Sequence, residues 1–164
     1  MKLLPVALLD ELAAQAAASP RRRAHFNVHA GAADPVQRFF VAACRDTYIR
    51  PHRHHTRAEL ALVLRGAFDV LLFDAAGTLT ARHAVGEATG SMAYELPPGA
   101  WHMLIAQSDG AAFLEIKEGP YDPASAAEFA AWAPAEGEPS VPQFLERARA
   151  ARSGESLNPR GGAV

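Results

Sequence analysis

The sequence predicts a mainly β single domain, a sandwich or small barrel with a helix at each end. Three observations predict it. Short apolar or alternating runs recur through the middle of the chain, as strands do. Turn signals separate them: Asp34-Pro35, Gly66, Asp74-Ala75-Ala76-Gly77, Pro97-Pro98-Gly99 and Ser108-Asp109-Gly110. The two ends instead carry segments rich in helix formers.

At the first end, Ala7 to Ala18 (ALLDELAAQAAA) is a helix with Leu8, Leu9 and Leu12 as its apolar stripe. Ser19-Pro20 stops it, because the residue before proline avoids the helical region. Arg21-Arg22-Arg23 reads either as an anion patch or as a solvated turn, and a run this short favours the turn. From Arg23 to His29 the pattern alternates, with Arg23, His25, Asn27 and His29 on one side and Ala24, Phe26 and Val28 on the other. Val36 to Cys44 is the next strand. Thr47 to His54 follows as a strand whose alternation puts Tyr48, Arg50, His52 and His54 on one polar face.

Glu59 to Leu64 and Ala67 to Phe73 are apolar runs joined tightly at Gly66, a buried hairpin. Thr78 to Val85 is a more polar strand suited to an edge. Met92 to Leu96, Trp101 to Gln107 and Ala111 to Lys117 complete the strands. After Gly119-Pro120-Tyr121-Asp122-Pro123 the sequence predicts helices over Ala124 to Ala131 and Val141 to Ala151, then a frayed end from Ser153. The expected organisation is an N-terminal helix over 1–22, a β domain over 23–120 and a helical tail over 121–164 whose last residues are disordered.

A chain of 164 residues suffices for one core of ordinary size. A formal net charge of −2 gives no electrostatic reason to expect nucleic acid or an anionic membrane as partner. The lone Cys44 rules out an intrachain disulfide framework and suits a reducing, cytoplasmic setting. Asp10 and Glu11 interrupt the apolar run Leu3 to Leu9, so an amphipathic helix is expected there rather than a signal peptide.

The chemistry concentrates in two stretches. His52 and His54 leave the same face of one strand, Glu59 lies beyond a short turn, and His102 opens a strand after the Pro97-Pro98-Gly99 corner. Three imidazoles and a carboxylate converging in a β fold suit a divalent transition metal such as Zn, Fe, Mn or Ni rather than Ca or Mg. Four protein ligands leave one or two positions open on a five- or six-coordinate ion, as in a working or ligand-sensing site.

These stretches resemble the two cupin motifs. His-x-His, four residues, Glu, six residues, Gly is matched by His52, His54, Glu59 and Gly66, and Pro-x-Gly-x-x-His by Pro97, Gly99 and His102. Asp46 stands where the first motif usually opens with Gly, and Ala106 where the second closes with Asn; neither position is a ligand. A longer similarity runs through Ser19-Pro20-Arg21-Arg22-Arg23, Asn27-Val28-His29, Arg50-Pro51-His52-Arg53-His54, Val63-Leu64-Arg65-Gly66, Pro97 to His102 and Lys117 to Pro123. It is similar to the WbuC family of cupin-fold metalloproteins, found near bacterial polysaccharide gene clusters. The resemblance implies a double-stranded β-helix, or jelly roll, and a metal held by His52, His54, Glu59 and His102; it does not imply a reaction.

Around that metal, Tyr48 and Arg50 are candidate catalytic residues through the shared strand face. Tyr48 would move a proton, and the Arg50 guanidinium would meet a carboxylate or phosphate. Their alternative is structural, a packed ring and an ion pair. Phe113, Glu115 and Lys117 share one face, which is either the open side of a sheet or the pocket; the pocket is preferred, making Glu115 a further candidate acid or base and Lys117 a ligand contact. His25 and His29 line either a solvated edge or the pocket, with His29 preferred for the pocket through the Asn-x-His resemblance. His55 and His83 read as surface residues, and Trp101 as packing. The expected function is a metal-dependent cupin acting on or binding a small anionic or carbohydrate-derived ligand, with isomerase or epimerase chemistry in sugar-nucleotide metabolism one option. The alternatives are an Fe(II)-dependent dioxygenase and a non-catalytic sensing module. The apolar character of both faces of Glu59 to Leu64 suits a homodimer.

Overall fold

In the computed structural model, described over residues 1–159, two five-stranded antiparallel sheets face each other and each carries one helix on its outer side. The elements in chain order are α1 (Ala7–Ala18), β1 (Arg23–Asn27), β2 (Val36–Ala43), β3 (His52–Arg53), β4 (Glu59–Arg65), β5 (Ala67–Phe73), β6 (Leu79–Gly86), β7 (Ala93–Leu96), β8 (Trp101–Ala106), β9 (Ala111–Glu118), β10 (Glu128–Phe129) and α2 (Val141–Ala150). One sheet runs β1-β2-β9-β4-β7 and the other β10-β3-β8-β5-β6. This is the jelly roll that the sequence predicts.

Alternation decides what each strand contributes. In β8, Leu104 and Ala106 turn inward to meet Val41, Ala61, Phe68 and Phe113 between the sheets, where Phe68 and Phe113 pack edge-on at 5.2 Å. Trp101, Met103 and Ile105 turn outward, where Phe144, Leu145 and Ala148 of α2 cover them. On the other sheet, Leu12 and Ala16 of α1 bury Ala42, Cys44 and Ala112, with Ala24, Phe26 and Phe40 alongside. The polar–apolar alternation of β1 thus sets its apolar side under α1 and its polar side towards the space between the sheets. Gly66 makes the β4–β5 connection in one residue at φ +64°, a left-handed conformation that a side chain resists, and a Cβ there would stand 3.0 Å from Ser108 Oγ.

Four expectations are corrected. Glu59 to Leu64 and Ala67 to Phe73 do not pair as a hairpin: β4 bonds to β7 and β9, β5 to β6 and β8, and the turn at Gly66 carries the chain from one sheet to the other. The stretch Thr47 to His54 is not one strand: only His52–Arg53 is paired, and Pro51 precedes it without an N–H to continue a ladder. Ala124 to Ala131 is not a helix. Asp122 closes a turn by accepting from Ala124 N and Ser125 Oγ, and the chain then extends as β10 to pair with β3. The end from Ser153 does not fray over 153–159. Ser156 bridges Thr78, Leu157 N donates to the Gly77 carbonyl at 2.9 Å, and Leu157 is buried. The remainder of that expectation, 160–164, lies outside the described residues.

Candidate metal centre

The four motif residues arrive from both sheets. β3 supplies His52, the turn after it His54, and β8 His102, whose register partner is His52. Glu59 opens β4 on the opposite sheet, between Leu96 of β7 and Lys117 of β9. The Pro97-Pro98-Gly99 corner is tied to the same place, because Gly99, at φ +83°, donates its N–H to the His54 carbonyl at 2.7 Å. One potential ligand atom from each of His52, His54, Glu59 and His102 lies within 4.8 Å of the others. Ligands about 2.1 Å from one ion sit at most about 4.2 Å apart, so a small contraction would let all four reach it.

The ring orientations fit a metal. Each Nδ1 faces a backbone carbonyl: His52 that of Arg50 at 2.9 Å, His54 that of Ala126 at 2.5 Å, and His102 that of Ala100 at 3.0 Å. A carbonyl only accepts, so each Nδ1 carries the proton and each Nε2 is the atom presented to the cluster. His102 Nε2 is buried and lacks a hydrogen-bond partner among the described residues. His54 Nε2 stands 3.0 Å from Glu59 Oε2, so with its Nδ1 already donating, a cation between the two satisfies both. Burial, helped by His102, lowers the His52 pKa to about 3, and burial likewise lowers that of His102, keeping both rings neutral and able to ligate. Burial would raise the Glu59 pKa, but its polar neighbours, the Lys117 cation among them, outweigh it and hold it below the usual carboxylate range. Lys117 is the cation of that set that persists at neutral pH.

A cavity of about 220 Å³ opens onto the cluster, lined by His52, Glu59 and His102 together with Glu115, Lys117 and Arg23. Lys117 Nζ pairs with Glu115 Oε1 at 2.5 Å and lies 5.0 Å from the Phe39 ring centroid. Burial, reinforced by the Glu59 charge, raises the Glu115 pKa to about 7 despite Lys117. Burial depresses that of Lys117, but the charges of Glu115 and Glu59 more than reverse this and raise it. The face Phe113-Glu115-Lys117 read from β9 therefore does line the cavity.

Other candidates are placed elsewhere. Tyr48 lies on the outer side of the β3–β8 sheet, edge-on to Phe144 at 5.8 Å, with its hydroxyl donating to the Pro134 carbonyl at 2.9 Å. Burial raises its pKa further, so it is no proton carrier for the centre. Arg50 spends Nη2 on the carbonyls of Ala130 and Ala133, at 2.9 and 3.0 Å, and stacks on Phe129. It holds the segment after β10, beside the cavity, while its buried Nε has no partner among the described residues. His29 is buried against the backbone of Arg38 and faces a neighbouring recess, whereas His25 reaches the metal cavity. His55 pairs with Glu128 on the surface, His83 is exposed, and Arg53 lies over the Trp101 ring.

Sequence reasoning missed Tyr94, whose hydroxyl reaches Glu59 Oε1 at 3.4 Å from β7, and the cavity residues Phe39, Arg21 and Arg23. The alternation of β7 and β1 could have placed Tyr94 and Arg23 on inner faces. Nothing local could have said that those faces meet the histidines. A second cluster, Cys44, Asp46 and Asp109, is otherwise engaged: Asp46 binds Arg22, and Asp109 accepts from Arg45 N.

Two facing sheets around a buried cluster of three histidines and one glutamate define a cupin-type jelly roll with a metal-centre donor set. The chain belongs to the family described as a domain of unknown function, DUF6016, which matches residues 4–85, half of its length. No curated protein matches it. Among solved structures, protein SO0799 from Shewanella oneidensis is 11% identical over 64% of this chain and 72% of its own, with a TM-score of 0.51, a likeness that bears on the fold alone. KdgF from Halomonas sp. is 20% identical over 65% of this chain and 84% of its own, with a TM-score of 0.48. A variant of oxalate decarboxylase OxdC from Bacillus subtilis is 23% identical over 58% of this chain, with a TM-score of 0.46; the match covers only 24% of the decarboxylase. Among the described residues, no helix is long and apolar enough to cross a membrane.

Proposed function

We propose that the protein is a metal-dependent cupin in which His52, His54, Glu59 and His102 hold one divalent transition ion against a cavity for a small anionic ligand. The observation that carries this reading is the common orientation of three imidazoles, each with Nδ1 tied to a carbonyl. When bound, such an ion supplies Lewis acidity, and redox capacity if it is iron. The chain's own residues do the rest. Tyr94 supports Glu59, Lys117 places a positive charge at the cavity wall, and Glu115 is poised to give or take a proton near neutral pH. That poised carboxyl favours catalysis over mere binding, and of the reactions considered it suits proton movement on an oxygenated substrate, the isomerase or epimerase class. Fe(II)-dependent dioxygenase chemistry and a non-catalytic sensor are the competing readings. Membership of the WbuC group, a role in polysaccharide metabolism and a cytoplasmic setting belong to the same proposal, the last supported by one free, buried Cys44.

Elemental analysis of protein purified without a chelating tag tests it. One equivalent of a transition metal is expected in the wild type, with loss in His52→Ala and in His102→Ala. Metal that persists in both variants would remove the centre from these residues. The ion's identity separates the two reaction classes.

Pairing of two copies is part of the reading. Leu60 and Leu64, 41% and 38% exposed, face outward from β4 beside the edge strand β7. A dimer mass is expected from light scattering, and a monomer across the micromolar range would overturn it.

A further inference from the structure

We propose that Arg21 and Arg23 form a second anion-binding point at the mouth of the metal cavity, held in the free protein by the carboxylate of Glu136. This deepens the function proposed above and rests on it: the ligand would carry an anionic group, carboxylate or phosphate, at its end away from the metal. Both arginines line the cavity that contains His52, Glu59 and His102. Arg21 grips Glu136 with two parallel bonds, Nε to Oε2 at 2.9 Å and Nη2 to Oε1 at 3.0 Å. Arg23 Nη2 donates to the same Oε1, while its Nη1 donates to the Tyr48 carbonyl at 2.7 Å and fixes the fork in place. Two guanidiniums converging on one carboxylate make the geometry by which proteins recognise carboxylates and phosphates.

The other cations at the site already have partners within the chain. Lys117 is paired with Glu115, and Arg50 Nη2 is spent on two carbonyls. Glu136 is the part that can exchange. Its side chain is 37% exposed, between Arg21 at 60% and Arg23 at 16%, so Arg23 is the buried half of the receptor and the carboxylate it holds lies nearer solvent. Nor does its segment need it for anchorage. The segment after β10 is also pinned by Ala130 N to the Pro51 carbonyl, Arg50 to the Ala133 carbonyl and the Tyr48 hydroxyl to the Pro134 carbonyl. An incoming anion replaces one carboxylate by another while the segment stays in place.

Calorimetric titration of inorganic phosphate and, separately, malonate into the full chain tests this, with protein as purified and after chelation. Glu136→Gln is expected to bind at least one probe about tenfold more tightly than wild type, with or without metal, because its internal competitor has lost its charge. Arg23→Met is expected to abolish that binding; should it not fold, Arg21→Met, at a 60% exposed side chain, is expected to weaken it about tenfold. Which probe responds identifies the head group as phosphate or carboxylate. An affinity unchanged in Glu136→Gln, even with a lowered melting temperature, overturns the proposal and leaves Glu136 as an anchor. Binding that vanishes on chelation and ignores Glu136 overturns it while leaving the metal centre standing. Binding at the arginines in a protein that takes up no metal sinks the function above and with it the second-end role.

Discussion

Removing the metal is expected to lower the midpoint of thermal unfolding by about 8–16 °C. An ion that binds only the folded chain stabilises it by about 4 kcal/mol when its free concentration is a thousandfold above Kd. For a domain of this size each kcal/mol moves the midpoint by about 2–4 °C. The reason lies in the donor set. His102 Nε2 is buried without a partner among the described residues, and Glu59 is buried with its charge retained, so the folded chain bears desolvation costs that an ion would offset. Calorimetric scans with excess zinc and with chelator would measure the shift. In His102→Ala the metal-induced shift is expected to collapse, since one donor is gone. Tyr94→Phe should retain most of it, because that hydroxyl only supports Glu59. A wild type whose midpoint ignores both zinc and chelator, or a His102→Ala protein that responds in full, would remove the metal from this cluster.

The cluster was legible because its information is local. His52 and His54 are two apart, Gly66 marks a one-residue turn, and the Pro97-Pro98-Gly99 corner sets the entry to His102, all of which the structure contains, although the turn at Gly66 crosses between sheets instead of closing a hairpin. Glu115 and Lys117 were legible too, since strict alternation over an eight-residue strand leaves little freedom. Tyr48 was not, for an identifiable reason. Its placement assumed that alternation runs unbroken from Thr47, whereas pairing begins only at His52, after Pro51. The side chain therefore turns to the far side of the sheet, where Phe144 and the Pro134 carbonyl satisfy ring and hydroxyl. The alanine-rich stretch at 124–131 has helical propensity but is needed as extended chain. Ala126 gives its carbonyl to His54, and β10 covers the free edge of β3. Propensity yields there to hydrogen bonds that only the assembled site supplies. Arg21 and Arg23 illustrate the same limit. A solvated turn and an anion receptor have one local sequence, and what separates them is Glu136, more than a hundred residues away.

Lys117→Met is expected to cost about 3–5 kcal/mol in metal-free protein, the range for breaking one half of a buried ion pair. The lysine stands between two carboxylates, bonded to Glu115 at 2.5 Å and opposite Glu59 in the strand register, with 13% of its side chain exposed. Methionine keeps the bulk beside Phe39 but leaves both carboxylates inside the cavity without their common cation. The sign of the pH dependence follows. Glu115 already has its pKa raised to about 7 by burial and by Glu59, and loss of Lys117 raises it further. Below that value it is protonated and buries no charge, so the penalty is smaller at pH 5, where only Glu59 lacks its cation, and grows as the pH rises through neutrality. Lys117→Met combined with Glu115→Gln should recover most of the loss, because the pair is then replaced by neutral groups of similar size. Urea unfolding of the three proteins at pH 5 and pH 8 would read this directly. A single-variant cost below about 1 kcal/mol at both values would mark the pair as a solvated surface bridge. It would also remove the support for Lys117 as the positive charge proposed at the cavity wall.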